Sequence, residues 1–396
     1  MPAKISVRDL DFTGKTVFLR VDFNVPLEGG QVADSSRLQA ALPTIELILA
    51  KGGALVLGSH LGRPGGKRVK ELGMAPVAAK LSELLASQIA SAEDCIGPEV
   101  EQQARELEAG QVLLLENLRF HPGETANDPR FADGLARLAD LYVNDAFGTV
   151  HRDHASVVGI CSRMPVAAAG LLLEKELLCL SRLLSKPERP FIALIGGAKV
   201  SGKVELLSNL LSKVDALLIG GAMSYTLLRG RGVATGDSPV EEDRVLFAGE
   251  LLQTVRRTDV KFRLPSDHTI IPAGQFDSRP THTPGESIPE GMAGVDIGPR
   301  TVQDYCKEIG LAKTILWNGP MGIFENPSFD AGTRAVGTAI AESTALSVVG
   351  GGDTVTAVGK FHLERGMDHL STGGGAALEL LSGKPLPGVE ALTEKP

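Results

Sequence analysis

Short apolar runs alternate along this chain with longer stretches of helical period. The runs TVFLRVDFN, ALVLGSHLGRP, VLLLENLRF and LYVNDAFGTVHR fall in the first half, and FIALIGGAKVSGK, ALLIGGAMS, TILWNGPMG and ALSVVGGGDT in the second. Between them, SSRLQAALPTIELILAKGG, APVAAKLSELLASQ and DPRFADGLARLADL repeat apolar residues at the spacing of one helix face, and the first ends at Gly52 and Gly53, where a helix C-cap belongs. Strands alternating with amphipathic helices predict βαβ units and parallel sheets, hence an α/β fold. A longer helical pattern, residues 170–186, stops at Pro187 and Pro190, and a fresh βαβ series starts at Phe191. The domain boundary is therefore placed on this helix. Residues 266–300 are rich in Pro, Gly and Thr without helical period, which predicts irregular loops or a short hairpin. The terminal KPLPGVEALTEKP reads as too short and too Pro-rich for an element of its own.

What the strands end in differs between the halves. In the first half the ends carry Asp22, Asn24, His60, Arg63, Arg119, His151 and Arg152, with Arg37 following a loop. Ligands of open parallel sheets bind beyond the carboxyl ends of the strands, so one crevice collects this charge. Guanidinium forks match carboxylate and phosphate oxygens, while Asp22 and Asn24 suit a hydroxyl. Any single arginine here would read as a solvated surface residue; their convergence points to a small anion bearing phosphate, carboxylate and hydroxyl groups.

In the second half the strands end in glycine clusters. Residues 196–204, GGAKVSGKV, nearly match a P-loop, but Val204 stands where Ser or Thr would hold magnesium. A glycine turn opening a helix still presents backbone N–H groups to phosphate, with Lys199 and Lys203 beside it. GGGDT adds Asp353, either a helix cap or a hard oxygen ligand for Mg²⁺, and STGGGAALELL is a further glycine-rich helix entry. Glu325 at the end of WNGPMGIFE suits ribose hydroxyls or a plain surface position. G-x-G-x-x-G is absent, which argues against a dinucleotide dehydrogenase. Two differently built half-sites suggest group transfer between two bound molecules.

Composition narrows the picture. The 396 residues, 43% hydrophobic and 22% charged, suit a soluble protein of two domains, and a net charge of −8 argues against nucleic acid. The four cysteines are scattered, without metal-ligand spacing, and read as reduced thiols. No apolar run approaches the ~18 residues of a membrane span, so no membrane partner and a cytoplasmic setting are expected. His151 and His154 flank Asp153 but lack further ligands for zinc, and His121, His282 and His362 are left as surface or core residues.

Taken together these segments resemble the phosphoglycerate kinase family. RVDFNVP, GSHLGRP, LLENLRF, VNDAFGTVHRDHAS, GGAKVSGK, GGAM, DIGPRT, WNGPMGIFE, GGGDT and STGGGAALELL occur in that family's order and cover essentially the whole chain. RVDFNVP with WNGPMGIFE is the specific pair; one glycine cluster alone would carry little. The resemblance implies two similar Rossmann-like parallel-sheet domains joined by a helical hinge. The N-terminal 3-phosphoglycerate domain would span residues 1–169, the hinge 170–187, the nucleotide domain 188–380, and a returning tail 381–396. It implies a glycolytic, usually monomeric enzyme that interconverts ATP and 3-phosphoglycerate with ADP and 1,3-bisphosphoglycerate. Asp22, Asn24, Arg37, His60, Arg63, Arg119 and Arg152 would bind 3-phosphoglycerate. Lys203, Gly220, Gly221, Asn318, Pro320, Glu325, Gly351, Gly352, Asp353 and Thr354 would bind nucleotide, with Mg²⁺ at Asp353. Arg37, Lys199, Lys203 and the backbone at Gly352 and Gly375 would stabilise the transferring phosphoryl. Departures from the family pattern are Gly202 where Asp is frequent, Asp153 where Ala is common, and the stretch 266–285. The rival readings are a non-catalytic nucleotide-binding relative and a kinase of another small carboxylate.

Overall fold

The computed structural model describes residues 3–395 and divides into two compact units. The first runs to Leu178 and takes back the chain from Pro385; the second is Cys179–Lys384. The division falls inside the helix Leu171–Ser185.

The first unit is built on a six-stranded parallel sheet. Its strands are β1 (Thr16–Arg20), β2 (Ala54–Gly58), β3 (Ala90–Ser91), β4 (Val112–Leu114), β5 (Leu141–Asn144) and β6 (Ala167–Ala169), in the spatial order β3-β4-β2-β1-β5-β6. Every residue of β2, β4, β5 and β6 is buried. That explains why these strands read as unbroken apolar runs rather than alternating ones, since helices cover both faces of a parallel sheet. The helix Ser36–Ala50 buries Leu38, Ala41, Ile45 and Ile48 against this core and ends where Gly52 takes a positive φ of 81°. Glycine adopts that conformation without penalty, which fixes the stop.

The second unit repeats the plan. Strands β7 (Phe191–Ile195), β8 (Ala216–Ile219), β9 (Lys261–Arg263), β13 (Thr314–Asn318), β14 (Leu346–Gly350) and β15 (His369–Leu370) form a parallel sheet in the order β9-β8-β7-β13-β14-β15. The order reverses between β7 and β13, the switch point at which such sheets bind ligands. Trp317 on β13 is fully buried in the core. The expected α/β architecture with two parallel sheets is thus present.

Two sequence expectations need correcting. Residues 266–300 are not loops or one hairpin: β10 (His268–Pro272), β11 (Thr281–His282) and β12 (Met292–Ile297) make a three-stranded antiparallel sheet, β11-β10-β12. Its two longer strands are mostly buried, so they lack the polar alternation that would have marked them. The C-terminal segment also holds one helical turn, Pro387–Glu390, opened by a proline whose missing N–H costs nothing at that position. Leu386, Val389 and Leu392 are buried in the first unit, and Gly388 N–H donates to Val150 O. Among the described residues no helix is long and apolar enough to cross a membrane.

Candidate active site

The carboxyl ends of β1, β2, β4 and β5 gather the polar residues of the first unit. Arg37 lies 2.6 Å from Asp22 through its guanidinium, so the carboxylate orients the arginine. Asn24 accepts a hydrogen bond from Gly62 N–H at 2.8 Å, and Arg119 donates to Gly62 O at 2.9 Å. The loop carrying His60 and Arg63 is thus tied to both neighbours. Arg119 is buried while its Nε has no partner, and burial together with Arg20 and Arg152 brings its pKa down to about 10. His60 is held well below its ordinary value by burial and then by Arg20, Arg119 and Arg37. His151 falls to about 4 for the same reasons, burial first and Arg152 next. Both imidazoles are therefore neutral near pH 7 and donate or accept hydrogen bonds as such. Arg63 is exposed on its loop, and Arg152 is half-buried.

One residue of this wall escaped the sequence reading. Arg20, last in the apolar strand β1, is completely buried. It donates to Ser156 Oγ at 2.8 Å and to the Val21 carbonyl, and meets His60 Nδ1 at 3.4 Å. Arginine can only donate, so Nδ1 is the acceptor and Nε2 of His60 carries the proton. Glu124, also fully buried, accepts from Ser156 N–H and Oγ–H and lies 3.6 Å from His154 Nδ1. Burial raises its pKa, but the nearby His154, Arg20 and the Ser156 hydroxyl outweigh this and hold it below the usual range. His154 thus packs beside the buried Glu124 rather than in a metal pair with His151. A charge at the end of an otherwise apolar strand was the available signal. The departing Asp153 is exposed and accepts from Asn127 at 2.6 Å.

In the second unit the loops after β7, β8 and β13 press backbone against backbone. A Cβ at Gly196 would fall 2.1 Å from Pro320 O, and one at Gly221 would fall 2.5 Å from Gly197 N. Only glycine permits that approach. Lys203, just before the helix Val204–Leu210, donates to Gly196 O at 2.6 Å and Asn318 O at 3.0 Å. Burial lowers its pKa to about 8, against the pull of Asp353. Gly319 N–H donates to Thr354 Oγ1 at 2.7 Å, and buried Asn318 Nδ2 is left without a partner beside Gly351. Gly351 caps the helix Gly352–Lys360, with Asp353 exposed in its first turn.

A cavity of about 450 Å³ opens beside these loops. Gly221, Pro320, Glu325 and Asp353 of the sequence-derived set line it, together with Gly197, Tyr225, Ile271, Phe276, Gly294 and Ile323. Ile271 and Gly294 come from the unforeseen antiparallel sheet, which supplies one apolar wall. Such a pocket, apolar with a few convergent polar groups, suits a flat ring and its phosphate tail. Lys199 is exposed, and its loop is held by Glu241, which accepts from Val200 and Ser201 N–H. The Gly220 N–H is spent on Ile195 O. Gly375 opens the short helix Gly375–Leu381.

The family model described as phosphoglycerate kinase matches residues 7–384. The chain is 52% identical over 393 residues to the phosphoglycerate kinase of Moorella thermoacetica, covering 99% of this chain and 100% of that one. It is 50% identical over 395 residues to that of Prosthecochloris aestuarii, with the same coverage. The solved phosphoglycerate kinase from Coxiella burnetii superposes with a TM-score of 0.89 at 39% identity, covering 98% of each chain. That from Pyrococcus horikoshii gives 0.87 at 33% identity, again over 98% of each chain. The chain belongs to the phosphoglycerate kinase family.

Proposed function

We propose that the two half-sites transfer the γ-phosphoryl of ATP reversibly to the carboxylate of 3-phosphoglycerate, giving ADP and 1,3-bisphosphoglycerate. Family membership makes the protein a phosphotransferase; the assignment of ligands to units rests on the site chemistry. The observation that carries it is the surplus of guanidinium charge around Asp22 in the first unit, where burial and neighbouring arginines have already lowered Arg119 to about 10. A bound anion relieves that repulsion. Arg63, Arg119 and Arg152 hold the phosphate that does not react, Asp22 and Asn24 the hydroxyl, and His60 donates from Nε2. The glycine turns, Lys203, Asn318 and Thr354 take the nucleotide phosphates, and Glu325 the ribose.

The attacking carboxylate and the γ-phosphate are both anions, so catalysis consists of neutralisation and alignment. A carboxylate oxygen forms the new P–O bond while the bond to the β,γ-bridging oxygen breaks and leaves its electron pair on ADP. The nucleophile is already ionised, so no general base is needed. Arg37, Lys199, Lys203 and backbone N–H groups at Gly352 and Gly375 stabilise the phosphoryl in flight. Asp353 offers an exposed hard oxygen at a helix start, which suits Mg²⁺ shared with nucleotide phosphates, and the ion would neutralise part of their charge. The half-sites belong to different units, so transfer requires a hinge movement that brings the ligands together and excludes water. A monomeric cytoplasmic enzyme fits the acidic, disulfide-free chain.

Calorimetry with each ligand alone tests the division. Asp353→Ala should weaken Mg-nucleotide binding and spare 3-phosphoglycerate, and Arg119→Ala should do the reverse. Loss of both affinities in either variant, with the fold intact, would overturn it.

A further inference from the structure

We propose that Asp94, Cys95 and His121 form a binding site for a zinc-class divalent cation in the first unit. The sequence gives no sign of it, because His121 lies far along the chain from the adjacent Asp94 and Cys95, with no metal-ligand spacing between them. The fold brings them together. Asp94 and Cys95 follow the edge strand β3, and His121 follows the turn Leu118–Phe120 after β4. One ligand atom from each residue lies within 4.8 Å of the other two.

The donors are held in place before any ion arrives. Asp94 Oδ1 accepts from Cys95 N–H at 2.6 Å and contacts His121 Nε2. The His121 ring rests on Phe131 at a centroid distance of 4.9 Å. Cys95 is fully buried, and its thiol donates to Glu116 O at 3.0 Å. The side chains of Asp94 and His121 are 51% and 28% exposed, so an ion meets these two ligands first and reaches the buried sulfur as they move apart. Thiolate, imidazole and carboxylate together select zinc-like ions over magnesium or calcium. Metal–ligand bonds of roughly 2.0–2.3 Å place tetrahedral donors about 3.3–3.8 Å apart, so closure needs a movement on the order of 1 Å. On binding, the Cys95 thiol gives its proton to solvent and releases the Glu116 carbonyl. His121 presents the Nε2 lone pair with its proton on Nδ1, and water fills the fourth position.

The test is titration of the metal-stripped full chain with Co²⁺. One equivalent should produce a thiolate-to-cobalt charge-transfer band with tetrahedral d–d bands, and Zn²⁺ should abolish both. Cys95→Ser should remove the charge-transfer band. Asp94→Asn and His121→Ala, changes at partly exposed side chains that leave the fold intact, should each weaken Zn²⁺ competition by about tenfold or more. Absence of the band at a large excess of cobalt would overturn the proposal. So would a band that survives Cys95→Ser, which would assign it to another thiol, or Zn²⁺ affinity unchanged in both exposed-ligand variants.

Discussion

Arg37 stands 2.6 Å from Asp22 and keeps about a third of its side chain in solvent, poised rather than locked. Removing it deletes a preorganised positive charge and leaves the Asp22 carboxylate facing an anionic ligand. Arg37→Ala should therefore lower kcat by on the order of 10²-fold. Wild-type turnover in that variant would take Arg37 out of the mechanism. In the proposed assignment Arg119 holds a phosphate that undergoes no chemistry, so Arg119→Ala should raise the KM for 3-phosphoglycerate with kcat largely kept. Steady-state kinetics separates the two, and a fall in kcat at unchanged KM would place Arg119 at the reacting centre instead. Most of these side chains were legible because a charged residue after an apolar run has few structural reasons to be there. Arg20 was not, because burial of a guanidinium depends on Ser156, His60 and Glu124, partners remote in sequence. The orphaned Nδ2 of Asn318 was likewise invisible until the Gly351 backbone stood next to it.

Among the elements, the helix Leu171–Ser185 has its first turn capped from outside. Asp145 Oδ1, just past β5, accepts from Leu172 N–H at 2.8 Å and Leu173 N–H at 3.1 Å. Burial nevertheless pushes its pKa up to about 6, against those donors and the Thr44 hydroxyl. A carboxyl whose folded pKa is raised contributes stability that is full below about 3.8 and is lost as pH rises through about 6. Two pKa units correspond to roughly 3 kcal/mol. Asp145→Asn keeps the acceptor oxygen without the buried charge, so urea unfolding should show a flatter pH dependence between those two values. An identical slope in the variant would mean that the carboxyl does not carry the effect. The C-terminal segment makes a second case. Deleting the chain from Pro385 exposes the pockets of Leu386, Val389 and Leu392, and at about 1.5–3 kcal/mol per side chain the first unit should lose on the order of 5 kcal/mol. Unchanged thermal unfolding would show that the segment is only an appendage. Parallel strands and amphipathic helices were readable because periodicity and full burial leave marks in the chain. The antiparallel sheet β11-β10-β12 left none, since its two longer strands are mostly buried without alternation, its third is only two exposed residues, and its connections are rich in Pro and Gly.

For the whole molecule, one parallel-sheet plan is used twice with opposite chemistry at the strand ends. On the proposed assignment, the side-chain cations of the first sheet recognise a compact anion, and the glycine turns of the second let backbone N–H groups reach phosphates. Neither half can perform transfer by itself, which makes dependence on both ligands the central claim. The most direct measurement follows ADP formation from Mg-ATP with and without 3-phosphoglycerate, with the acyl phosphate trapped as it forms. The account predicts one acyl phosphate per ADP and essentially no ADP when 3-phosphoglycerate is omitted. ADP release that is indifferent to 3-phosphoglycerate, or turnover supported equally by an unphosphorylated hydroxy acid, would contradict it.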